Sequence, residues 1–396
     1  MTRHRWLAIT MAALVLVPAV RARDDDEPEF GGKKLSYWNG LLTEGKTPKD
    51  RVRGVIGMEQ IGHSRSKNVV PALVKAATKD ADGTVRGKAA RAVGRAVTKA
   101  LAEAREDKLE TLPNFDEARN ALAAMLRVDK SAEAREGAVL AIGDVGPDWR
   151  KACASLAHAL KDEAREVVRA GAASLLRMGN EAKDAQAELQ ALLADPKGDT
   201  VARVDAARCL GLLRTEIGGA LPSLKGTLAD AKADASLRKA CAESLAKLGK
   251  EAAETAPALG EVLLEKGSPA DLRVAAMGAL DAFGQEAKPA IPAIIKAVHD
   301  TERTVRCLAM QSLGKMGKDL DAHRRPAIVA LVKSVEDLST EVSVSALNAL
   351  GAMAGEGFNE EAKNVTEVIE RAEKSGREEI RKAAVAAMAK IRPKKE

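Results

Sequence analysis

Small, aliphatic and polar positions return along the chain in one register. The segment from Val305 to Gly317 reads Val-Arg-Cys-Leu-Ala-Met-Gln-Ser-Leu-Gly-Lys-Met-Gly. With Arg306 as position zero, the register recurs at Arg51, Arg86, Arg135, Val168, Arg203, Arg238, Arg273, Ser343 and Arg381. Position +3 is always small, as at Gly54, Ala89, Cys241 and Ala309, and so is position +6, as at Gly57, Ala92, Ser174, Cys209 and Ser312. Position +7 is large and aliphatic, from Met58 to Met388, and position +10 is apolar from Ile61 to Ile391. Spacings of three and four put these columns on one face of a helix. The small columns let a neighbouring helix come close, and +7 and +10 supply the buried bulk. Position +11 is glycine at Gly62, Gly146, Gly179, Gly249, Gly284 and Gly317. Glycine there reads as a helix stop, because it tolerates the left-handed backbone.

A second helical pattern precedes each such helix. It often carries proline before a branched or leucine pattern, as in Pro71-Ala72-Leu73, Pro222-Ser223-Leu224, Pro257-Ala258-Leu259, Pro292-Ala293-Ile294 and Pro326-Ala327-Ile328. A proline inside a helix removes a hydrogen bond, so these first helices are expected to bend. Between the two helices stands an acid. Asp80, Asp129, Asp162, Asp300 and Asp337 lie six residues before position zero; Asp195, Asp230 and Glu265 lie eight before it or its equivalent. Successive zero positions are 33 to 38 residues apart, except for 49 between Arg86 and Arg135. That interval holds a polar run from Ala96 to Thr111, read as an extended helix with a loop ending near Pro113. Insertions of this kind project from one edge of an array, and some carry binding.

The pattern predicts an all-α chain, an α-solenoid of about ten two-helix repeats over residues 35–396. Its period, prolines and Asp/Arg marks resemble the HEAT repeat, and within it the bacterial subclass named after phycobilisome lyases. The resemblance runs from Leu35 to Ile391. It implies an armadillo-like superhelix whose turn acids and following arginines form a hydrogen-bonded ladder within and between repeats. By position the pairs are Asp80/Arg86, Asp129/Arg135 and Asp300/Arg306. Val168 and Ser343 occupy position zero in two repeats and put the ladder in question there.

Residues 1–22 read as a secretory signal. Arg3, His4 and Arg5 precede an apolar run from Trp6 to Val20, with small residues at Val20-Arg21-Ala22. The run is shorter than the roughly 20 apolar residues of a membrane span. A retained anchor is the other reading. Residues 23–34 then read as an acidic flexible spacer. Export implies a periplasmic, envelope or extracellular protein with no membrane span once the signal is removed. Loss of Arg3, Arg5 and Arg21 lowers the formal charge from +6 to +3. The basic balance is therefore no nucleic-acid signature. Aromatic residues make up only 2% of the chain, which argues against a large pocketed core.

Searching for chemistry yields little. Cys209 and Cys241 sit in the small columns and read as buried thiols, with a disulfide between them as the alternative. No CxxC is present, and no histidine is followed by glutamate. Iron-dependent deoxyhypusine hydroxylases, a HEAT-repeat enzyme class, carry such His-Glu pairs, so no metal, cofactor or catalytic residue is expected. One surface feature stands out. Columns +1, +5 and +9 share a face that lines the concave side in HEAT-like arrays. They hold Arg91, Arg95, Arg169, Arg177, Arg208, Lys239, Lys247, Lys315, Lys382 and Lys390 against Glu136, Asp144 and Glu243. One expectation for such cations is solvation near helix C-termini. The functional expectation is a basic stripe for a protein or acidic peptide. The sequence thus favours a monomeric, non-catalytic scaffold that binds protein. A lyase-like enzyme or accessory subunit is the alternative, and nucleic-acid binding a weaker third.

Overall fold

The computed structural model describes residues 27–65, 67–109, 112–213, 217–354, 358 and 362–392. The signal reading falls on residues 1–22 and lies outside them. Ten helix pairs follow one another along the described chain. The first helices are α1 (Leu35–Glu44), α3 (Val69–Lys79), α5 (Asp116–Val128), α7 (Cys153–Ala159), α9 (Gln186–Ala194), α11 (Ile217–Ala229), α13 (Ala256–Leu264), α15 (Ile291–Ala297), α17 (Arg324–Ser334) and α19 (Ala362–Ala372). The second helices are α2 (Pro48–Ile61), α4 (Gly83–Glu106), α6 (Ala132–Val145), α8 (Arg165–Met178), α10 (Thr200–Leu210), α12 (Ala235–Leu248), α14 (Ala270–Phe283), α16 (Arg303–Met316), α18 (Thr340–Met353) and α20 (Glu378–Ile391). Position zero of the sequence register is the fourth residue of every second helix, and position +10 is the last residue of all but two: α4 runs past Ala96 to Glu106, and α10 stops at Leu210, before Leu213. The fold is an α-solenoid of HEAT type.

Helix starts and stops follow local chemistry. Thr47, Asp82, Ser131, Asp199 and Asp234 cap second helices by accepting first-turn backbone N–H bonds, the usual service of short polar side chains. All six glycines at +11 have positive φ, from 39° at Gly317 to 80° at Gly62. After five of them the chain continues as a short 3-10 segment before the next first helix: Gly146–Ala152, Gly179–Ala185, Gly249–Thr255, Gly284–Ala290 and Gly317–His323.

The helix starts correct the expectation of bent first helices. Pro257 and Pro292 fall in the first two residues of α13 and α15, and Pro71 and Pro326 are third in α3 and α17. A proline there lacks only an N–H that has no intrahelical partner anyway. Pro222, inside α11, is the exception.

One apolar core runs through the stack from Leu42 to Ala387. It has the alternation the columns require. Met58, Val93, Ile142, Leu175, Leu210, Leu245, Leu280, Leu313 and Leu350, all at +7, are 0–1% exposed. Second helices pack on one another more extensively than first helices do. The same cause explains a column that the sequence reading passed over. Position +8 is glycine at Gly94, Gly143, Gly211, Gly314 and Gly351, and a Cβ on each would run into the +6 residue of the next repeat: Ala141, Ser174, Ser244, Ala349 and Ala387. Helices this close need a missing side chain on one and a small one on the other. The serines at +6 also fasten the contact. Ser174 Oγ donates to the Val139 carbonyl at 3.2 Å, and Ser244 Oγ to that of Ala207 at 2.8 Å.

Of the 23–34 spacer, residues 27–34 lie within the described chain. Strands β1 (Glu29–Phe30) and β2 (Lys33–Lys34) form a hairpin. The hairpin sits on the first repeat, where the Trp38 indole N–H donates to the Phe30 carbonyl at 3.2 Å and Ser36 bonds to Glu27. The Phe30 ring packs tilted against Trp38, and Tyr37 meets it edge-on. Three rings, Phe30, Tyr37 and Trp38, thus gather at the first described repeat.

Candidate partner-binding surface

The turns fix how the second helices stand. In the Asp80 turn the carboxylate accepts the Asp82 N–H at 2.9 Å. Its two oxygens also accept Nε and Nη2 of Arg51, from the preceding repeat, at 2.7 and 2.9 Å. Arg86, six residues after Asp80, donates to the Asp80 backbone carbonyl at 2.9 Å and sends its fork on to Asp129 at 2.7 Å. Arg135 repeats this with the Asp129 carbonyl and the Asp162 carboxylate. Arg273 grips Asp300, and Arg306 bonds the Asp300 carbonyl and Asp337. The position pairs Asp80/Arg86, Asp129/Arg135 and Asp300/Arg306 are therefore joined through backbone oxygens. The carboxylate–guanidinium forks run from one repeat to the next. Burial pushes the Asp80, Asp129, Asp162 and Asp300 carboxyls up, but the guanidinium and backbone N–H bonds outweigh it and hold all four below the ordinary carboxylate range.

The irregular repeats find substitutes. Arg169, one residue late, forks onto Asp199 at 2.8 and 2.6 Å, and this bond holds the Asp199 carboxyl far below its usual range. Ser343 donates its hydroxyl to the Asp337 carbonyl at 3.2 Å, the place an arginine takes elsewhere. Arg203 donates twice to the Leu193 carbonyl; among the described residues no ion pair joins it to Asp230.

The same geometry redraws the basic stripe. Seven of its ten cations meet acids. Arg95 pairs with Glu59 at 2.7 Å, Arg169 with Asp199 at 2.6 Å, Lys239 with Asp271 at 3.1 Å, Lys315 with Asp281 at 2.8 Å and Lys382 with Glu378 at 2.7 Å. Arg177 and Arg208 lie 3.9 Å from Asp144 and Asp205. Glu59 and Asp281 stand at position +8 and Asp205 at +2, columns adjoining the three that were counted. A count confined to +1, +5 and +9 therefore overstates the local charge. Among the described residues, Arg91, Lys247 and Lys390 are exposed and form no ion pair. Arg91 lines a shallow cleft with Lys88, Glu133, Glu136 and Leu140 between α4 and α6.

The thiols are structural. Cys209 and Cys241 are free and buried, and burial pushes both thiols up to about 12. Among the described residues no group of three histidine, cysteine or acidic side chains could hold a metal ion. No described helix is long and apolar enough to cross a membrane.

No protein-family model matches the chain, and no curated protein matches it. Solved structures do. Kap95p, in a structure described as showing that its binding induces the switch loops of RanGDP to adopt the GTP-bound conformation, superposes with a TM-score of 0.57 at 9% identity, over 90% of this chain and 50% of that one. Kap121p aligns with a TM-score of 0.48 at 12% identity, over 90% of this chain and 45% of its own. The chain spans about half the length of these karyopherins. At such identity the likeness is one of fold, a helical solenoid.

Proposed function

We propose that the chain is a non-catalytic scaffold that binds protein along the face of its second helices. One observation carries the reading. Ten second helices repeat the same outward columns in one unbroken series, so the chain presents an extended surface rather than a converging site. Arg91, Lys247 and Lys390 are the cations left unpaired on it, and they favour an acidic contact. The proteins of similar fold are described with protein partners, as in Kap121p bound to Ste12p. We assign export to the chain as well, with a signal ending at Ala22, a monomeric state and no nucleic-acid partner. The phycobilisome-lyase-like subclass is the best placement of its repeat type.

Site-specific photocrosslinkers at Arg91 and Lys247, compared with Lys79 on a first helix, test the surface. Cross-links to a protein from the two inner positions, weakened in high salt, are expected. Equal labelling at Lys79, or none at any position, would sink the reading. Cell fractionation with N-terminal sequencing tests export: the mature protein begins at Arg23, and an intact N-terminus in the cytoplasm would contradict it.

A further inference from the structure

The 49-residue interval does more than lengthen α4. Its return places Phe115 at the start of α5, against the turn between α2 and α3. There the Phe115 ring meets the imidazole of His63 edge-on, with centroids 4.9 Å apart at 75°. Beside this contact opens a cavity of about 330 Å³, near the lower end of the roughly 300–1,000 Å³ typical of ligand pockets. Val70, Pro71 and Val74 of α3 and Phe115 and Ala118 of α5 form apolar walls, so the cavity lies between first helices, away from columns +1, +5 and +9.

Three further features single out this place. Nδ1 of His63 is buried and, among the described residues, has no hydrogen-bond partner, an arrangement that costs free energy wherever it is left alone. Polar lining comes from Asn114, Asp116 and Glu117, and no lysine or arginine lines the cavity. Asp116 is engaged by Arg119, while Glu117 is exposed and, among the described residues, forms no ion pair. The loop leading in exposes Leu109 and Leu112, apolar side chains next to the cavity mouth. Burial, with Lys67 nearby, lowers the His63 pKa and keeps the ring neutral near pH 7.

We propose that this cavity docks a basic protein segment, taking one bulky apolar side chain between α3 and α5 while a flanking lysine or arginine meets Glu117. The apolar walls supply the affinity, and the acidic mouth supplies the choice of charge. The segment differs in charge and in face from the acidic partner assigned to the second helices. The inference shares with that reading only the premise that the chain binds protein.

The test uses the full chain and three probes: acetyl-Lys-Phe-Lys amide, acetyl-Glu-Phe-Glu amide and acetyl-Lys-Gly-Lys amide. The readout is the His63 imidazole resonance, assigned with His63→Gln. The first peptide is expected to shift it saturably, and the other two to bind at least about tenfold more weakly. Glu117→Lys, an exposed change that leaves melting unaltered, is expected to cost the first peptide about tenfold in affinity. Equal response to all three peptides, no response in the millimolar range, or undiminished binding by Glu117→Lys would overturn the proposal. So would concentration-dependent self-association that Phe115→Ala abolishes, because the occupant would then be a second molecule of this chain. Peptide binding with no cross-links at Arg91 and Lys247 would leave the cavity standing and remove the inner-face reading; the converse would remove the cavity alone.

Discussion

At the residue scale, the ladder decides how one repeat is keyed to the next. Arg135 is 8% exposed and holds both the Asp129 carbonyl and the Asp162 carboxylate. Removing it strands a buried acid, so Arg135→Ala is expected to cost about 3–5 kcal/mol. Arg165→Ala, which removes an exposed side chain and leaves Asp199 held by Arg169, is expected to cost about 0–1 kcal/mol. Denaturant melts that rank the two equally would contradict the ladder. The acids give a pH signature. Their folded pKa values lie below those of the unfolded chain, so on acidification the unfolded chain takes up protons first. The stabilisation is complete well above about pH 4, near the unfolded carboxyl pKa, and is lost as pH falls through the folded values. The gap in stability between wild type and Asp80→Asn should accordingly shrink from pH 6 toward pH 2; a gap independent of pH would refute this. The cysteines follow from burial. With thiols pushed up to about 12, Cys209 and Cys241 should resist a disulfide reagent at pH 8 until the chain unfolds, and the half-buried Cys307 should react first. Prompt native labelling of all four would place the two thiols elsewhere than in the small columns.

At the scale of the element, helix boundaries were legible because each column obeys one steric rule. The glycine stops, the fourth-residue arginine and the small +3 and +6 columns all fall where the register put them. What stayed hidden depends on the neighbouring helix. Gly87 and Gly137 lie in no regular column, yet a Cβ on Gly137 would overlap the Gly87 backbone, and one on Gly87 that of Glu133. These two glycines let the long α4 cross α6 in near contact. Gly137→Ala would raise helix propensity in isolation; here it should destabilise by at least about 1–3 kcal/mol, the usual range for overpacking. A neutral or stabilising result would show that α4 and α6 stand further apart. The prolines and the stripe were misjudged for a related reason. Proline reads as a bend until the helix start is placed within two residues before it, and cations read as a stripe until Glu59 and Asp281 are seen on the adjoining column.

For the whole molecule, the shortage of rings and the wealth of alanine are one fact. A rod of pairs has no deep centre to fill with aromatic side chains, only repeated narrow interfaces where alanine and glycine fit. Its core is continuous from end to end, but each pair touches chiefly the pairs before and after it. Stability should therefore be a sum over neighbouring interfaces, and a local wound should stay local. Leu280 tests this. It is 1% exposed at position +7 of the seventh repeat, so Leu280→Ala removes core volume at an expected cost of about 2–5 kcal/mol. In a globular domain that loss would lower hydrogen-exchange protection throughout. In a stack it should lower protection in α11 through α16 and leave α4 and α6 unchanged. Uniform loss of protection would mean that the ten repeats fold as one cooperative unit, and a cost below about 1 kcal/mol would mean that position +7 is not the buried column.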